Sequence, residues 1–166
     1  TELTASLISD AIRFFRDELW VVFTAALPVA ESRVSIPLAH SLGMGAFKAY
    51  ALSVVGNMLP VPIILALLWH FETQLLRLPI VGRALEWLVR RTEPRTDQIQ
   101  RYGPIGLMLF VAIPLPSTGA WTASLAAFIL RMKGRYAIPP IFLGVLIAGI
   151  IVTVLTKGIS SLIPYL

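Results

Sequence analysis

Hydrophobic and charged positions divide the chain into alternating blocks. Residues 3–18 carry Asp10, Arg13, Arg16, Asp17 and Glu18, while Leu7, Ile8, Ala11, Ile12 and Phe15 recur at helical spacing on one face. That pattern predicts an amphipathic helix lying in a membrane interface or packed on its own protein. Leu19 to Ala30 is an apolar run of twelve, about 18 Å as a helix against a hydrocarbon core of about 30 Å. It is followed by Glu31-Ser32-Arg33-Val34-Ser35-Ile36-Pro37, then by Leu38 to Ala46 with Gly43 and Gly45. An apolar run cut by Pro28 and Pro37 around two charges predicts a broken or re-entrant helix. Such backbone is tolerated at depth only where it faces protein or a wet cavity.

The 23 residues from Ala49 to Phe71 contain no Lys, Arg, Asp or Glu and are long enough to span, with a kink expected near Asn57, Pro60 and Pro62. Residues 72–101 are the most polar stretch, with six arginines from Arg77 to Arg101 set among Glu72, Glu86, Glu93 and Asp97. The recurrence of Ile80, Val81, Ala84, Leu85, Leu88 and Val89 predicts a second surface helix, ended by Pro94. Residues 102–130 are again uncharged until the basic loop of Arg131, Lys133 and Arg135, and are split by Pro114-Leu115-Pro116-Ser117-Thr118-Gly119. Residues 136–156 form the last expected span, with Pro139 and Pro140 placed in its first turn, where proline is tolerated. The order of elements therefore repeats: a broken apolar segment, then a spanning helix. Ser35-Ile36-Pro37-Leu38 echoes Ala112-Ile113-Pro114-Leu115.

Composition sharpens this reading. Of the 166 residues, 57% are hydrophobic and 14% charged, and mean hydropathy is +0.79. A soluble domain carries about 45–50% apolar and about 25% charged residues, so a soluble enzyme and a disordered chain are both disfavoured. The absence of Cys excludes disulfides, thiolate nucleophiles and Cys-ligated zinc. Net charge is +5; without a basic-aromatic recognition motif it points to Lys/Arg beside anionic headgroups and not to nucleic acid. Thr1 to Thr4 lack the basic stretch of a signal peptide, so insertion is expected through internal segments.

Charge also bears on topology. Leaving out Arg33, nine Lys/Arg fall on one side of the membrane and four on the other, whether the broken segments span or re-enter. In either case the positive-inside rule places residues 72–101 in the cytoplasm. The short proline-interrupted halves favour re-entry, with Lys133 and Arg83 opposite Thr4.

Chemistry concentrates at the two breaks. Glu31 and Arg33 are the ionisable pair of the first, and intramembrane charges are costly and mark functional sites. In the second, Ser117 or Thr118 is a candidate N-cap for a half-helix from Ala120, Gly119 admits close backbone approach, and Trp121 adjoins them. A half-helix starting at depth points its N–H groups inward, which suits an anion. His40 and His70 stand thirty residues apart with no Cys or acid pair to complete a metal site, so no metal or cofactor is expected.

These breaks carry a resemblance to the small multidrug export family, itself similar to the DedA/VTT membrane superfamily. The matching residues are Glu31-x-Arg33-x-x-Ile36-Pro37-Leu38, Gly56-Asn57-x-x-Pro60, Tyr102-Gly103-x-x-Gly106-Leu107, Phe110 to Trp121 and Gly144-Val145-x-x-Ala148-Gly149. Ser32, Val34-Ser35 and Ser117 depart from the usual family pattern. The resemblance implies two inverted repeats, each a re-entrant helical hairpin plus a transmembrane helix. It also implies proton-linked transport or lipid flipping.

The expectation is thus an all-α polytopic protein of the plasma (inner) membrane, one membrane domain over 1–166. It comprises an N-terminal amphipathic helix (3–18), a first repeat (19–71), a polar surface segment (72–101) and a second repeat (102–160). The expected function is a proton-linked lipid flippase, scramblase or small-molecule exporter, not an enzyme. Its expected site joins two facing breaks: Glu31, Arg33, Pro37 and Asn57 with Pro114, Pro116, Ser117, Thr118, Gly119 and Trp121. Expected partners are membrane lipids, protons, an anionic or phosphate-bearing lipid or small amphipathic substrate, and a second copy of the chain. A non-transporting scaffold and a membrane-bound lipid enzyme are the alternatives.

Overall fold

A computed structural model describes residues 2–71, 103–114, 118–130 and 132–162, with backbone only for 2–11, 14, 160 and 162. Every regular element among the described residues is helical. These are α1 (Glu2–Ala26), α2 (Glu31–Ser41), α3 (Ala46–Met58), α4 (Pro60–His70), α5 (Pro104–Ala112), α6 (Ala120–Ile129) and α7 (Gly134–Leu162). The surface helix expected within 72–101, and Pro116 and Ser117, lie outside the described residues.

The amphipathic helix and the first apolar run are one element, not two: α1 continues from Glu2 to Ala26. Hydropathy changes at Leu19, but no residue there breaks the backbone, and helical period survives a change of polarity. Ile12, Phe15, Leu19, Trp20 and Phe23 are exposed, whereas Val21 and Ala25 are buried. Pro28 ends the run, since it offers no N–H to Thr24; the Thr24 carbonyl accepts from Leu27 N–H instead, at 3.2 Å.

The chain forms two compact units, Thr1–Asn57 with Gly149–Leu166, and Met58–Ala148. In the first, α1 and α2 pack against each other across a short break. Val21, Ala39 and Ala49 form one buried apolar cluster, flanked by Met44 and Leu52. Lys48 at the start of α3 is ion-paired to Glu18 of α1. The chain thus leaves the level of Glu18, turns at Leu27–Ala30, and returns to that level. In the second unit, α6 packs on both α4 and α5, with Trp69 edge-on to Phe128 at 5.4 Å.

Two helical stretches are long and apolar enough to cross a membrane: Ala46–His70 (25 residues, hydropathy 2.1) and Gly134–Ile159 (26 residues, hydropathy 2.6). Only 39% of each is buried, whereas a soluble core helix of that hydropathy would be mostly covered. Helical pairing in the first stretch is interrupted at Leu59, where Pro60 and Pro62 withhold N–H groups from Gly56 and Met58. The last helix departs from expectation at its start. It begins at Gly134, so Pro139 and Pro140 stand inside it. The Lys133 carbonyl accepts from Tyr136 and Ala137 N–H, which winds the first turn ahead of the prolines.

One local geometry occurs twice. A Cβ on Gly56 would lie 2.4 Å from the Val22 carbonyl oxygen and 2.7 Å from Ala25 Cβ; one on Gly144 would lie 2.7 Å from the Met108 carbonyl oxygen and 2.5 Å from Val111 Cβ. Val22 and Met108 each stand four residues before the end of their helix. Helix α2 closes with Leu42 N–H to Leu38 and Met44 N–H to Ala39; α6 closes with Leu130 N–H to Ala126 and Met132 N–H to Ala127. Gly144, Leu130 and Met132 each follow their counterparts Gly56, Leu42 and Met44 by 88 residues. The echo between Ser35–Leu38 and Ala112–Leu115 is not this correspondence. Pro37 is helical, whereas Pro114 lies in a break.

Candidate functional site

The first site is built on the turn between α1 and α2. Glu31 opens α2 with φ of 46°, the one positive φ at a non-glycine among the described residues. For a residue with a Cβ this left-handed conformation costs about 1–2 kcal/mol. Its N–H donates to the Leu27 carbonyl at 3.2 Å, and a carboxylate in a first helical turn meets the positive end of the helix dipole. The side chain is buried, and Arg33 Nη2 stands 3.9 Å from its Oε2 with 24% of the Arg33 side chain exposed. A buried acid, a strained backbone and a partly exposed base thus meet at one turn.

Contrary to the expectation that Pro37 helps to cut this segment, it lies inside α2 on the exposed face. Proline there removes one hydrogen bond, to the Arg33 carbonyl, and the remaining turns carry the helix through. The break is therefore confined to Leu27–Ala30, and Pro37 stands apart from the buried stripe. That stripe is Ser32, Ser35, Ile36 and Ala39, at i, i+3, i+4 and i+7 on one face. Ser35 donates to Ser53 Oγ of α3 at 2.8 Å, both hydroxyls buried.

This bond joins α2 to α3, and Ala39 and Ala49 share one buried apolar cluster with Val21 of α1. Asn57 is 2% exposed, and its Oδ1 is buried without a hydrogen-bond partner. Sequence reasoning missed the Ser35–Ser53 bond and the Glu18–Lys48 pair. The spacing Ser32/Ser35 and Ser53/Asn57, polar residues on the apolar face of each helix, was the available signal.

The second break runs from Ile113, whose backbone is extended (φ −84°, ψ 112°), to Gly119. Pro114 is half-buried there, Thr118 and Gly119 are buried, and Trp121 is half-buried in the first turn of α6. Thr118 is not the expected N-cap: its hydroxyl donates to the Ile113 carbonyl at 2.6 Å and ties the two ends of the break together. Gly119 is the N-cap, and its N–H donates to Thr122 Oγ1 at 3.0 Å. One N–H at the start of α6 is thus already used by the protein. That weakens the case for an anion cradle at this helix end.

Two apolar helices of spanning length and a hairpin that buries a charge at its turn point to a membrane protein. The chain belongs to the family described as "Putative small multi-drug export protein", whose model matches residues 31–151. The match opens on Glu31, the residue with the strained backbone. No curated protein and no solved structure matches the chain.

Proposed function

We propose that the protein is a small-molecule exporter of the plasma membrane, driven by a proton gradient, whose substrates are small amphipathic molecules. A lipid flippase of the DedA/VTT kind is the second reading and would use the same site. One observation carries the proposal: Glu31, a buried acid in a strained conformation at the turn of a hairpin. An ionisable group so placed is costly to keep and needs a functional return. Glu31 takes up and releases the proton, and Arg33 answers the change in its charge. The family's description supports export as the outcome.

The hairpin is re-entrant in this proposal. The Glu18–Lys48 pair supports it, because a segment that spanned would carry Lys48 away from Glu18. Length supports it too: α2 has 11 residues, about 17 Å of helix, too short to cross. Single cysteines at Thr4, Lys48 and Lys133 in sealed vesicles test the topology. Re-entry places Thr4 and Lys48 on one face and Lys133 on the other; Lys48 labelling with Lys133 and opposite Thr4 establishes full spans.

Function is tested in proteoliposomes. Glu31→Gln and Arg33→Ala are each expected to abolish substrate-stimulated proton flux while inserting normally. Full flux in both variants refutes the proposed site. Absence of flux and of lipid translocation in the wild type favours a scaffold.

A further inference from the structure

The outward face of α1 carries a cleft that the proton step does not use. Val21 and Ala25 of this helix are buried, while Leu19, Trp20 and Phe23 are each more than half exposed. These three and Arg16 line a cleft of about 330 Å³, within the range of about 300–1,000 Å³ usual for small-molecule sites. The four stand at i, i+3, i+4 and i+7, on one helix face. The Trp20 and Phe23 rings meet edge-on, with centroids 6.0 Å apart and planes at 83°. The apolar end of the cleft therefore has two aromatic walls set nearly at right angles.

The order of groups along the cleft identifies its ligand. Arg16 lies just before the uncharged run that starts at Leu19, Trp20 follows one turn on, and Phe23 follows Trp20. From Arg16 to Phe23 the helix rises by about 10 Å. A bilayer entered from water presents phosphate, then glycerol ester, then acyl chain, and Trp favours the middle level. Guanidinium, indole and phenyl follow the same order.

Charge points the same way. Arg16 holds Asp17 through Nε at 3.2 Å, a contact that does not use its Nη groups. A guanidinium fork matches the oxygens of a phosphate. Arg13, exposed one turn earlier, adds a second cation on that face, and the nearby Glu18 is held by Lys48. A second molecule of the protein fits this face less well. In one membrane, a two-fold axis along the membrane normal would set Arg16 against Arg16, like charge on like.

We propose that this cleft binds one anionic phospholipid, with its phosphodiester on Arg16 and Arg13 and the upper part of an acyl chain along Leu19, Trp20 and Phe23. The lipid is a bound component of α1, not the transported molecule. The proposal rests on the chain lying in a membrane and not on export. Binding is read without transport, so its failure leaves the exporter reading standing, and a failure of flux leaves this site standing.

The test is native mass spectrometry of the full chain in detergent, titrated with phosphatidylglycerol or with phosphatidylcholine of the same chains. Phosphatidylglycerol is expected to add as one tightly held lipid on the monomer, and phosphatidylcholine several-fold more weakly. Arg16→Gln should weaken the phosphatidylglycerol adduct about tenfold and abolish the preference between the two lipids. Trp20→Ala should weaken both lipids alike. Arg135→Gln, which removes an exposed cation at the start of α7, should leave the adduct unchanged. Because Arg16 is exposed, Arg16→Gln should keep the wild-type Tm in lipid-free detergent. Equal affinity of the wild type for the two lipids overturns the proposal, as does undiminished phosphatidylglycerol binding in Arg16→Gln or a dimer that carries no lipid.

Discussion

The two helix–break–helix segments share a close glycine contact and a pattern of helix-closing hydrogen bonds, and differ in their buried polar groups. In the first, a strained Glu31, a serine pair and Asn57 are buried. In the second, Ala123, Ile141 and Val145 stand 88 residues after Ser35, Ser53 and Asn57, and the buried polar residues are Thr118 and Ser124. The breaks differ too. The first spans Leu27–Ala30; in the second, Ile113 is extended and Gly119 caps the following helix. The second is held by hydrogen bonds of its own, from Thr118 and to Thr122. Packing rules are therefore common to both copies, while charge belongs to one.

The largest effects should fall on what the copies share. Gly56→Ala and Gly144→Ala each drive a Cβ into backbone carbonyl and side-chain carbon closer than 3.0 Å. Each should cost about 1–3 kcal/mol of stability, read as lower Tm and lower folded yield. Gly45→Ala, with nothing within 4 Å, should change stability by no more than about 0.5 kcal/mol. If only one of the two close-contact variants is destabilised, the copies are not equivalent.

A smaller effect should mark what the copies do not share. Ser35→Ala leaves the Ser53 hydroxyl buried without its partner and should cost about 1 kcal/mol. Ser35→Ala/Ser53→Ala should cost less than the sum of the single changes, since both polar groups leave together. Strictly additive losses in denaturation would show that the bond is not formed.

How much of this was legible in sequence depends on what marked it. Uncharged runs announced two spans, expected at 49–71 and 136–156, and helical stretches long and apolar enough to cross a membrane are found at Ala46–His70 and Gly134–Ile159. Pro28 and the Pro114–Gly119 string announced the breaks, because proline and glycine act locally on the backbone. Continuity of α1 was not legible, since hydropathy changes where the helix does not. Pro37 misled because its effect depends on the exposed face it occupies. The 88-residue correspondence rests on few identities, Ala39/Ala127, Leu42/Leu130, Met44/Met132, Ala49/Ala137 and Gly56/Gly144. Burial and hydrogen bonding expose it where residue identity does not. Glu31 and Asn57 were legible as candidates; the hydrogen bond between Ser35 and Ser53 that ties their helices was not.

The smallest effect concerns the rim of the hairpin. The Lys48 and Glu18 side chains are 35% and 20% exposed, and partly exposed pairs contribute only about 0.2–1 kcal/mol. Lys48→Ala should therefore lower stability by about 0.5 kcal/mol at low salt and by less at high salt. A loss of several kcal/mol would mean that this pair, and not the apolar cluster beneath it, holds the hairpin.

The central claim is the proposal that Glu31, at the turn of the first hairpin, serves transport and not folding. Its most direct test is Glu31→Gln, which removes the charge and keeps the size of the side chain. Thermal unfolding in detergent and substrate-stimulated flux in proteoliposomes should be measured on the same preparation. The account predicts a folded protein with Tm equal to or above wild type and no flux. Wild-type flux, or a variant that no longer folds, would contradict it.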